Sequence, residues 1–284
     1  MHARAAATAV LDDGISPRNF KKLAAFIYGQ SGIRMPETKL TMVEGRLRRR
    51  VRALGMASLD AYCEHVLGAS VSDEELVHLI NAVTTNKTDF FREPRHFDYL
   101  RGTILPQWRQ EGRRRIRVWS AACSTGAEPY TIAMVLDDFG QQHGGPDYEI
   151  LATDLDTEVL SNAIKGIYPA EMLAPVPPDL HRRYVMRPRS PQRRDVRISP
   201  SLRSKVAFGR LNLMDENYPI GEPVDIVFCR NVLIYFDKPT QQKVVNRLCA
   251  KLRPGGYLML GHSESIAGMN LPVKAVANTV FRRN

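Results

Sequence analysis

The residues best able to do chemistry stand just after short apolar runs. Ile116–Ser120 leads into Ala121-Ala122-Cys123-Ser124-Thr125-Gly126-Ala127-Glu128-Pro129-Tyr130, whose small residues let a ligand approach the backbone closely. Glu149–Thr153 leads into Asp154, with Asp156 two positions on. A carboxylate after such a strand can accept hydrogen bonds from both hydroxyls of a ribose. Asp225–Cys229 leads into Arg230-Asn231-Val232-Leu233-Ile234-Tyr235-Phe236, so a polar Asn lies where a ligand crevice opens. Each position also has a structural reading. Thr125 and Glu128 have capping-box spacing. Asp156 and Thr157 precede an apolar helix as an N-cap would. Asn231 suits a turn for local reasons. Asp154, at the strand end itself, is the better ribose candidate.

Two further stretches carry unusual residue types. Thr84-Thr85-Asn86-Lys87-Thr88-Asp89-Phe90-Phe91-Arg92-Glu93 reads by itself as a polar linker with two core aromatics. Arg46, Arg49 and Arg52 lie opposite the apolar face of a helix, flanked by Arg48 and Arg50. A charged helix face is usually just solvated, and five arginines with no acid among them raise the case for a binding face above the usual. Other chemistries fall away. Gly261-His262-Ser263-Glu264-Ser265 lacks the last glycine of the G-x-S-x-G elbow, and no Asp or His follows it. There is no P-loop and no H-E-x-x-H. Cys63, Cys123, Cys229 and Cys249 form no C-x-x-C pair, so neither a disulfide nor a metal site is expected.

The elements that must position these residues come in two kinds. Up to about residue 85 the pattern is short amphipathic helices. Ser16-Pro17 marks an N-cap with Pro at the first helical position, Phe20, Leu23 and Ile27 follow, and Gly29 and Gly32 end the run. Leu40, Val43, Leu47, Val51 and Leu54 line a second helix, and Leu59, Tyr62 and Val66 a third. Ser72 and Glu75 resemble a capping box ahead of a fourth. From Ile116 short strands alternate with helices beginning near Glu128, Thr157 and Pro239, with further strands over Lys205–Leu211 and Tyr257–Leu260. That alternation implies a mostly parallel sheet covered by helices. The end, Asn278–Arg283, suits a last, edge strand. Arg182–Arg203, rich in Arg, Pro and Ser, is too long for a simple connection and is either a mobile basic loop or a small inserted subdomain.

The chain of 284 residues has a formal net charge of +10, which favours an acidic partner without choosing among nucleic acid, membrane and protein. No run approaches the roughly 20 apolar residues of a membrane helix. The Ala-rich stretch Ala5–Leu11 is too weakly apolar for a secretory signal, so a cytoplasmic protein is expected.

Taken together, the motifs resemble the chemotaxis receptor methyltransferase family, CheR. The resemblance covers nearly the whole chain and rests on five motifs in order: Thr84–Glu93, Val118–Tyr130, Ala152–Asp156, Phe228–Phe236 and Gly261–Glu264. It implies an α/β fold: a class I, Rossmann-like methyltransferase domain with an inserted small antiparallel β-subdomain, preceded by a small all-helical domain. On that reading residues 1–85 form the receptor-facing helical domain. Residues 86–284 form the S-adenosylmethionine-dependent domain, with a linker over 86–115 and the insertion over about 182–204. The resemblance implies cofactor contacts at Asn86, Thr88, Arg92, Glu128, Asp154, Asn212, Leu213, Asn231 and Val232. It implies that Arg92 and Tyr235 stand nearest the chemistry, and that Arg46, Arg49 and Arg52 meet the substrate. The implied reaction converts receptor glutamates to methyl esters, leaving S-adenosylhomocysteine. The partner is the cytoplasmic part of a chemotaxis receptor, with the membrane reached only through it and no nucleic acid. Many members dock a receptor C-terminal peptide on a glycine-rich turn. Here that stretch is Pro188-Arg189-Ser190-Pro191-Gln192-Arg193-Arg194, without glycine, a departure that bears on tethering and not on methylation.

Two other readings compete. A basic methyltransferase also fits RNA, but an RNA reader usually sets aromatic platforms within its basic surface, and the Arg46–Arg52 helix has none. A non-catalytic adaptor is the other, and the presence of both Arg92 and Tyr235 speaks against it.

Overall fold

The computed structural model describes residues 14–190 and 192–284. The stretch Ala5–Leu11 lies outside the described residues. The chain divides into two compact units, one running to Thr85 and including Tyr235–Asp237, the other formed by Asn86–Ile234 and Lys238–Asn284. Among the described residues no helix is long and apolar enough to cross a membrane.

The first unit is helical, with α1 (Pro17–Ser31), α2 (Leu40–Ala53), α3 (Leu59–Val66) and α4 (Asp73–Val83). The Ser16 side chain accepts the Asn19 N–H and caps α1, and the helix runs through Gly29 to end at Gly32 in a left-handed turn. Leu23, Ile27, Val43, Leu47, Tyr62 and Leu79 form its core. Ser72 caps α4 as expected, accepting the Glu75 N–H. The reciprocal half of that box is replaced: the Glu75 carboxylate binds Arg50 and the Tyr62 hydroxyl.

The second unit begins with α5 (Arg95–Tyr99), a π-helical turn (Leu100–Ile104) and α6 (Leu105–Gln110). It continues through β1 (Arg115–Ala121), α7 (Ala127–His143), β2 (Asp147–Asp154), α8 (Thr157–Lys165), β3 (Ile167–Pro169), α9 (Pro178–Tyr184), β4 (Val185–Met186), β5 (Asp195–Ile198) and α10 (Pro200–Arg203). It closes with β6 (Val206–Arg210), β7 (Val224–Cys229), α11 (Lys238–Lys251), β8 (Leu252–Leu260), β9 (Val273–Ala277) and β10 (Val280–Arg283). Seven strands form one sheet in the order β6-β2-β1-β7-β8-β10-β9. Neighbours from β6 to β8 are parallel; β10 runs antiparallel to β8 and β9 antiparallel to β10. The chain builds outward from β1 through β2 to β6, then returns to place β7 on the other side of β1. The switch point therefore lies between β1 and β7, and the crevice beyond their carboxyl ends is where such sheets bind ligands.

Two expectations need correction here. The C-terminal strand is not at the edge, because β9 pairs outside it; Val273–Ala277, half-buried to exposed, lacks an apolar pattern strong enough to announce a strand. The insertion is a small antiparallel sheet, β3-β5-β4, and it starts earlier than 182, since Ile167–Pro169 pairs with β5. Three residues are too few to show an alternation in sequence.

Candidate active site

The carboxyl ends of three strands meet in register: Ala121 of β1 lies beside Thr153 of β2 and Cys229 of β7. After β1 the backbone turns through Ala122 (φ 62°), Ser124 (φ 52°) and Gly126 (φ 90°). A Cβ on Gly126 would stand 2.8 Å from the Cβ of Ala163, so only glycine fits the turn against α8. The turn delivers the Ser124 N–H to Asp154 Oδ2 at 2.8 Å, while Asp154 Oδ1 accepts the Asp156 N–H at 2.9 Å. Burial pushes the Asp154 pKa up to about 6, although these N–H groups pull the other way. A carboxylate has about four lone-pair sites, so Asp154 keeps acceptor capacity for a ligand hydroxyl. Asp156 is the N-cap of α8, accepting the N–H groups of Glu158 and Val159.

Glu128 does not form the capping box its spacing allows. Gly126 is the N-cap of α7 and supplies no side chain, and the Thr125 hydroxyl is buried without a partner. Glu128 turns toward the sheet instead, accepting the Ser120 hydroxyl at 2.7 Å and Arg230 Nη1 at 3.1 Å. Burial raises its pKa against the influence of Arg230.

The Thr84–Glu93 stretch is more than a connection. Asn86 Nδ2 donates to Asp156 Oδ2 at 2.6 Å, and its carbonyl accepts the Ser124 hydroxyl at 2.8 Å. Phe90 is fully buried edge-on to Tyr168, and Phe91 packs against Phe97. Thr88 is half-buried between these anchors. Phe91 (φ 53°) and Glu93 (φ 54°) flank Arg92 in the left-handed region. The Arg92 guanidinium, half-exposed, donates to the Lys87 carbonyl at 2.8 Å.

Four residues in the motifs have roles that spacing did not reveal. Ser124 joins the strand ends to the linker through its N–H and its hydroxyl. Arg230, its side chain 2% exposed, donates Nη2 to the Arg92 carbonyl at 2.5 Å and to Glu93 Oε2 at 3.0 Å. Glu93 Oε1 accepts Asn231 Nδ2 at 2.9 Å. Burial opposes ionisation of Glu93, but the hydrogen bonds from Asn231 and Arg230 hold its pKa below the ordinary value. Glu264 is buried and accepts four backbone N–H groups, from Gly261, Asn231, Val232 and Leu233. Of the four, Arg230 is the charged residue that directly borders an apolar run, and that signal does not name a partner.

Glu93, His96 and His262 also converge, their ligating atoms lying within 4.8 Å of one another. The chemistry does not favour a cation there. Glu93 Oε2 already accepts Arg230 and the His262 N–H, and the guanidinium would repel the ion.

The remaining expected residues fall in several places. Asn212 follows β6, where the Leu211 N–H binds the Asp154 carbonyl at 2.9 Å, and its own Oδ1 accepts the Met214 N–H. Leu213 is buried beside it, its carbonyl accepting the Tyr218 hydroxyl. Asn231 (φ 58°) and Val232 are held by Glu264. Tyr235 groups with the helical unit: its carbonyl accepts the Arg34 N–H at 3.1 Å, and Lys39 Nζ lies 5.4 Å from its ring centroid. The arginine face is thinner than the sequence suggests. Arg46 donates to the carbonyls of Val83 and Thr84 at the end of α4, and Arg50 is paired with Glu75. Arg49 and Arg52 remain exposed. A separate cleft of about 840 Å³ between α6, α7 and α9 is lined by Arg101 and Arg183, both paired with buried Asp138, and by none of the motif residues.

The site suits S-adenosylmethionine. Its sulfonium and ammonium are cationic, and the carboxyl groups of Glu128 and Asp154 lie just beyond the ends of β1 and β2. Asp154 offers acceptors for a ribose at the strand end, and the small-residue turn leaves the backbone approachable. Comparison with known proteins agrees. Residues 86–281 match the family model described as CheR methyltransferase, SAM binding domain, and residues 18–84 match CheR methyltransferase, all-alpha domain. The chain is 40% identical over 271 residues to a chemotaxis protein methyltransferase of Escherichia coli, covering 94% of this chain and 91% of that one. It is 39% identical over 263 residues to chemotaxis protein methyltransferase 2 of Pseudomonas aeruginosa, covering 93% and 92%. With the Salmonella typhimurium chemotaxis protein methyltransferase it shares 39% over 268 residues, covering 94% and 90%.

Proposed function

The chain belongs to the CheR methyltransferase family and uses S-adenosylmethionine for methylation in chemotaxis; from that premise we propose that it esterifies glutamate side chains on the cytoplasmic part of chemotaxis receptors. It works in the cytoplasm, reaching the membrane only through its receptor. One observation supports this reading most: the segment bearing Arg92 is tied through Arg230, Glu93 and Glu128 to the ends of β1 and β7, at the switch point of the sheet.

Asn86, Thr88, Arg92, Glu128, Asp154, Asn212, Leu213, Asn231 and Val232 hold the cofactor. When bound, it supplies a methyl group activated by a sulfonium. Asp154 would accept hydrogen bonds from the ribose, and Glu128 would lend negative charge to a cationic cofactor. The substrate carboxylate is ionised at neutral pH, since the Glu pKa is near ~4.3, so the chain needs no general base. Its task is to align the attacking oxygen and exclude water. Arg92 orients the carboxylate through a forked pair of hydrogen bonds, which Lys cannot reproduce. Its benefit is alignment, because strong neutralisation would stabilise the nucleophile against attack. Tyr235, four residues after Asn231, is the second residue assigned to the chemistry, where its hydroxyl donates a hydrogen bond.

The test is methyl transfer from tritiated cofactor to receptor cytoplasmic fragments, followed by mild base. Release of the label as methanol is expected for a methyl ester. Base-stable label, or transfer to RNA in place of receptor, would overturn the proposal.

A further inference from the structure

We infer that Arg230 is a positioning residue for methyl transfer, setting Arg92 in place by clamping the linker to Glu128. The inference rests on the reading that Arg92 aligns the substrate carboxylate.

Arg230 follows β7 directly, on one side of the switch point; Glu128 follows β1, on the other. The guanidinium spans the two, with Nη1 on Glu128 and Nη2 on both Glu93 and the Arg92 carbonyl. Its central carbon lies 5.5 Å from the Phe97 ring centroid, so an aromatic face of α5 lies over it. Burying a guanidinium is unfavourable unless it is paired, and an apolar side chain of similar volume would stabilise most such sites as well. The network is also incomplete, since Arg230 Nε is buried without a partner. Stability alone accounts poorly for such a residue, whereas a geometric role accounts for it directly.

That geometry is specific. The bond to the Arg92 carbonyl fixes the backbone of the very residue whose side chain must point at the substrate. Phe91 and Glu93, on either side, stand at φ 53° and 54°, and Asn231, next to Arg230, at φ 58°. Strained residues of this kind persist only where their surroundings over-determine them. Glu264 holds the Asn231 N–H and Thr131 the Phe91 N–H, while Glu93 is held by Arg230, Asn231 Nδ2 and the His262 N–H, and the Arg92 carbonyl between them by Arg230. Without the guanidinium the turn can relax toward ordinary backbone angles, carrying Arg92 away. Lys at this position keeps the charge but is a single point, unable to hold Glu128, Glu93 and a carbonyl in fixed directions.

Arg230 therefore acts through Arg92, and a double-mutant cycle reads that coupling. Single-turnover methylation is measured for Arg92→Lys, Arg230→Lys and the double variant, each rate normalised to the fraction folded in a thermal melt. We expect Arg230→Lys to be at least tenfold slower at saturating S-adenosylmethionine, where any weakening of cofactor binding that follows from the shift of Arg92 and Glu128 no longer limits the rate. The double variant should be no slower than the slower single one. If Arg230→Lys does not fold, Glu93→Gln removes the ion pair on the linker side of the clamp and is expected to lower kcat with the same non-additivity. A silent Arg92→Lys would overturn the alignment role of Arg92 and this inference with it. A slow Arg92→Lys with multiplicative losses in the double variant, or a normal rate per folded molecule in both Arg230→Lys and Glu93→Gln, would overturn the positioning role alone.

Discussion

Glu264 grips Asn231 by its backbone: Oε2 accepts the Asn231 N–H at 2.9 Å while that residue stands at φ 58°. The same carboxylate takes the next two N–H groups, of Val232 and Leu233, so it fixes the whole turn that leaves β7. Glu264→Gln puts an NH₂ where one of these donors needs an acceptor. The expected loss is about 1–3 kcal/mol of stability, the cost of a buried unsatisfied group, together with weaker cofactor binding as Asn231 and Val232 shift. Thermal melts and calorimetry check both. A lower melting temperature with unchanged affinity would make Glu264 purely structural.

Asp154 should make cofactor binding pH-dependent. Its pKa is raised to about 6 by burial, and a ribose is held best by the ionised form. Affinity should therefore fall as pH drops below about 6, approaching about tenfold per pH unit. Stability of the free protein moves the other way. This group's contribution is fully present below its ordinary value of 3.8 and is lost as pH rises through about 6. Asp154→Ala should weaken binding by about 1.5–3 kcal/mol, the range for hydrogen bonds to a charged group, and abolish this pH response. Calorimetry between pH 5 and 8 measures both, and an affinity unmoved by the substitution would remove Asp154 from the ribose.

Local patterns announced the helical unit and the parallel strands because those patterns are local. Ser16-Pro17, the periodic leucines of α2 and the apolar run of β7 each depend on residues a few positions apart. What stayed hidden depends on distant partners. Glu75 lies at capping-box spacing from Ser72 yet binds Arg50, and Glu128 lies at the same spacing from Thr125 yet binds Ser120 and Arg230. Short-range spacing offers an acid one local option and says nothing of a buried cation brought close by the sheet. The site was legible as motifs for that reason, while the contacts among them, through Arg230 and Glu264, were not. Ile167–Pro169 shows the same limit, as a strand defined only by its pairing with β5.

The three arginines first assigned to one surface should separate by experiment. Arg46 holds the last carbonyls of α4, so Arg46→Ala should cost about 1–3 kcal/mol, as loss of charge-assisted hydrogen bonds does, and should appear in a thermal melt. Arg49 and Arg52 are exposed. Reversing both to Glu should leave the melt within about 0.5 kcal/mol, as for most surface changes. Association with an acidic receptor helix should slow, and its salt dependence should shrink. Receptor methylation with a wild-type rate and salt response in that double variant would show a face that is only solvated.

Arg92 and Tyr235 provide the sharpest test of the chemistry, because each has a competing structural role visible in the fold. The Arg92 guanidinium bonds the Lys87 carbonyl, and the Tyr235 ring lies beneath Lys39. If those contacts are their whole purpose, Arg92→Lys is nearly silent, since an ammonium can also donate to a carbonyl. Tyr235→Phe then keeps the ring over which Lys39 sits and costs at most a little stability. If they serve the reaction, both variants fold normally and lose rate. Lys lacks the planar fork that fixes a carboxylate, and Phe lacks the hydroxyl while preserving the shape. We expect each substitution to lower the single-turnover rate by tenfold or more, which corresponds to on the order of 1.4 kcal/mol in the barrier. Cofactor affinity separates the two residues further. Arg92→Lys should weaken it, because Arg92 is also assigned a cofactor contact, whereas Tyr235→Phe should leave it nearly unchanged. Single-turnover kinetics, melts and cofactor titration on the two variants decide the matter, and normal rates in both would end the assignment.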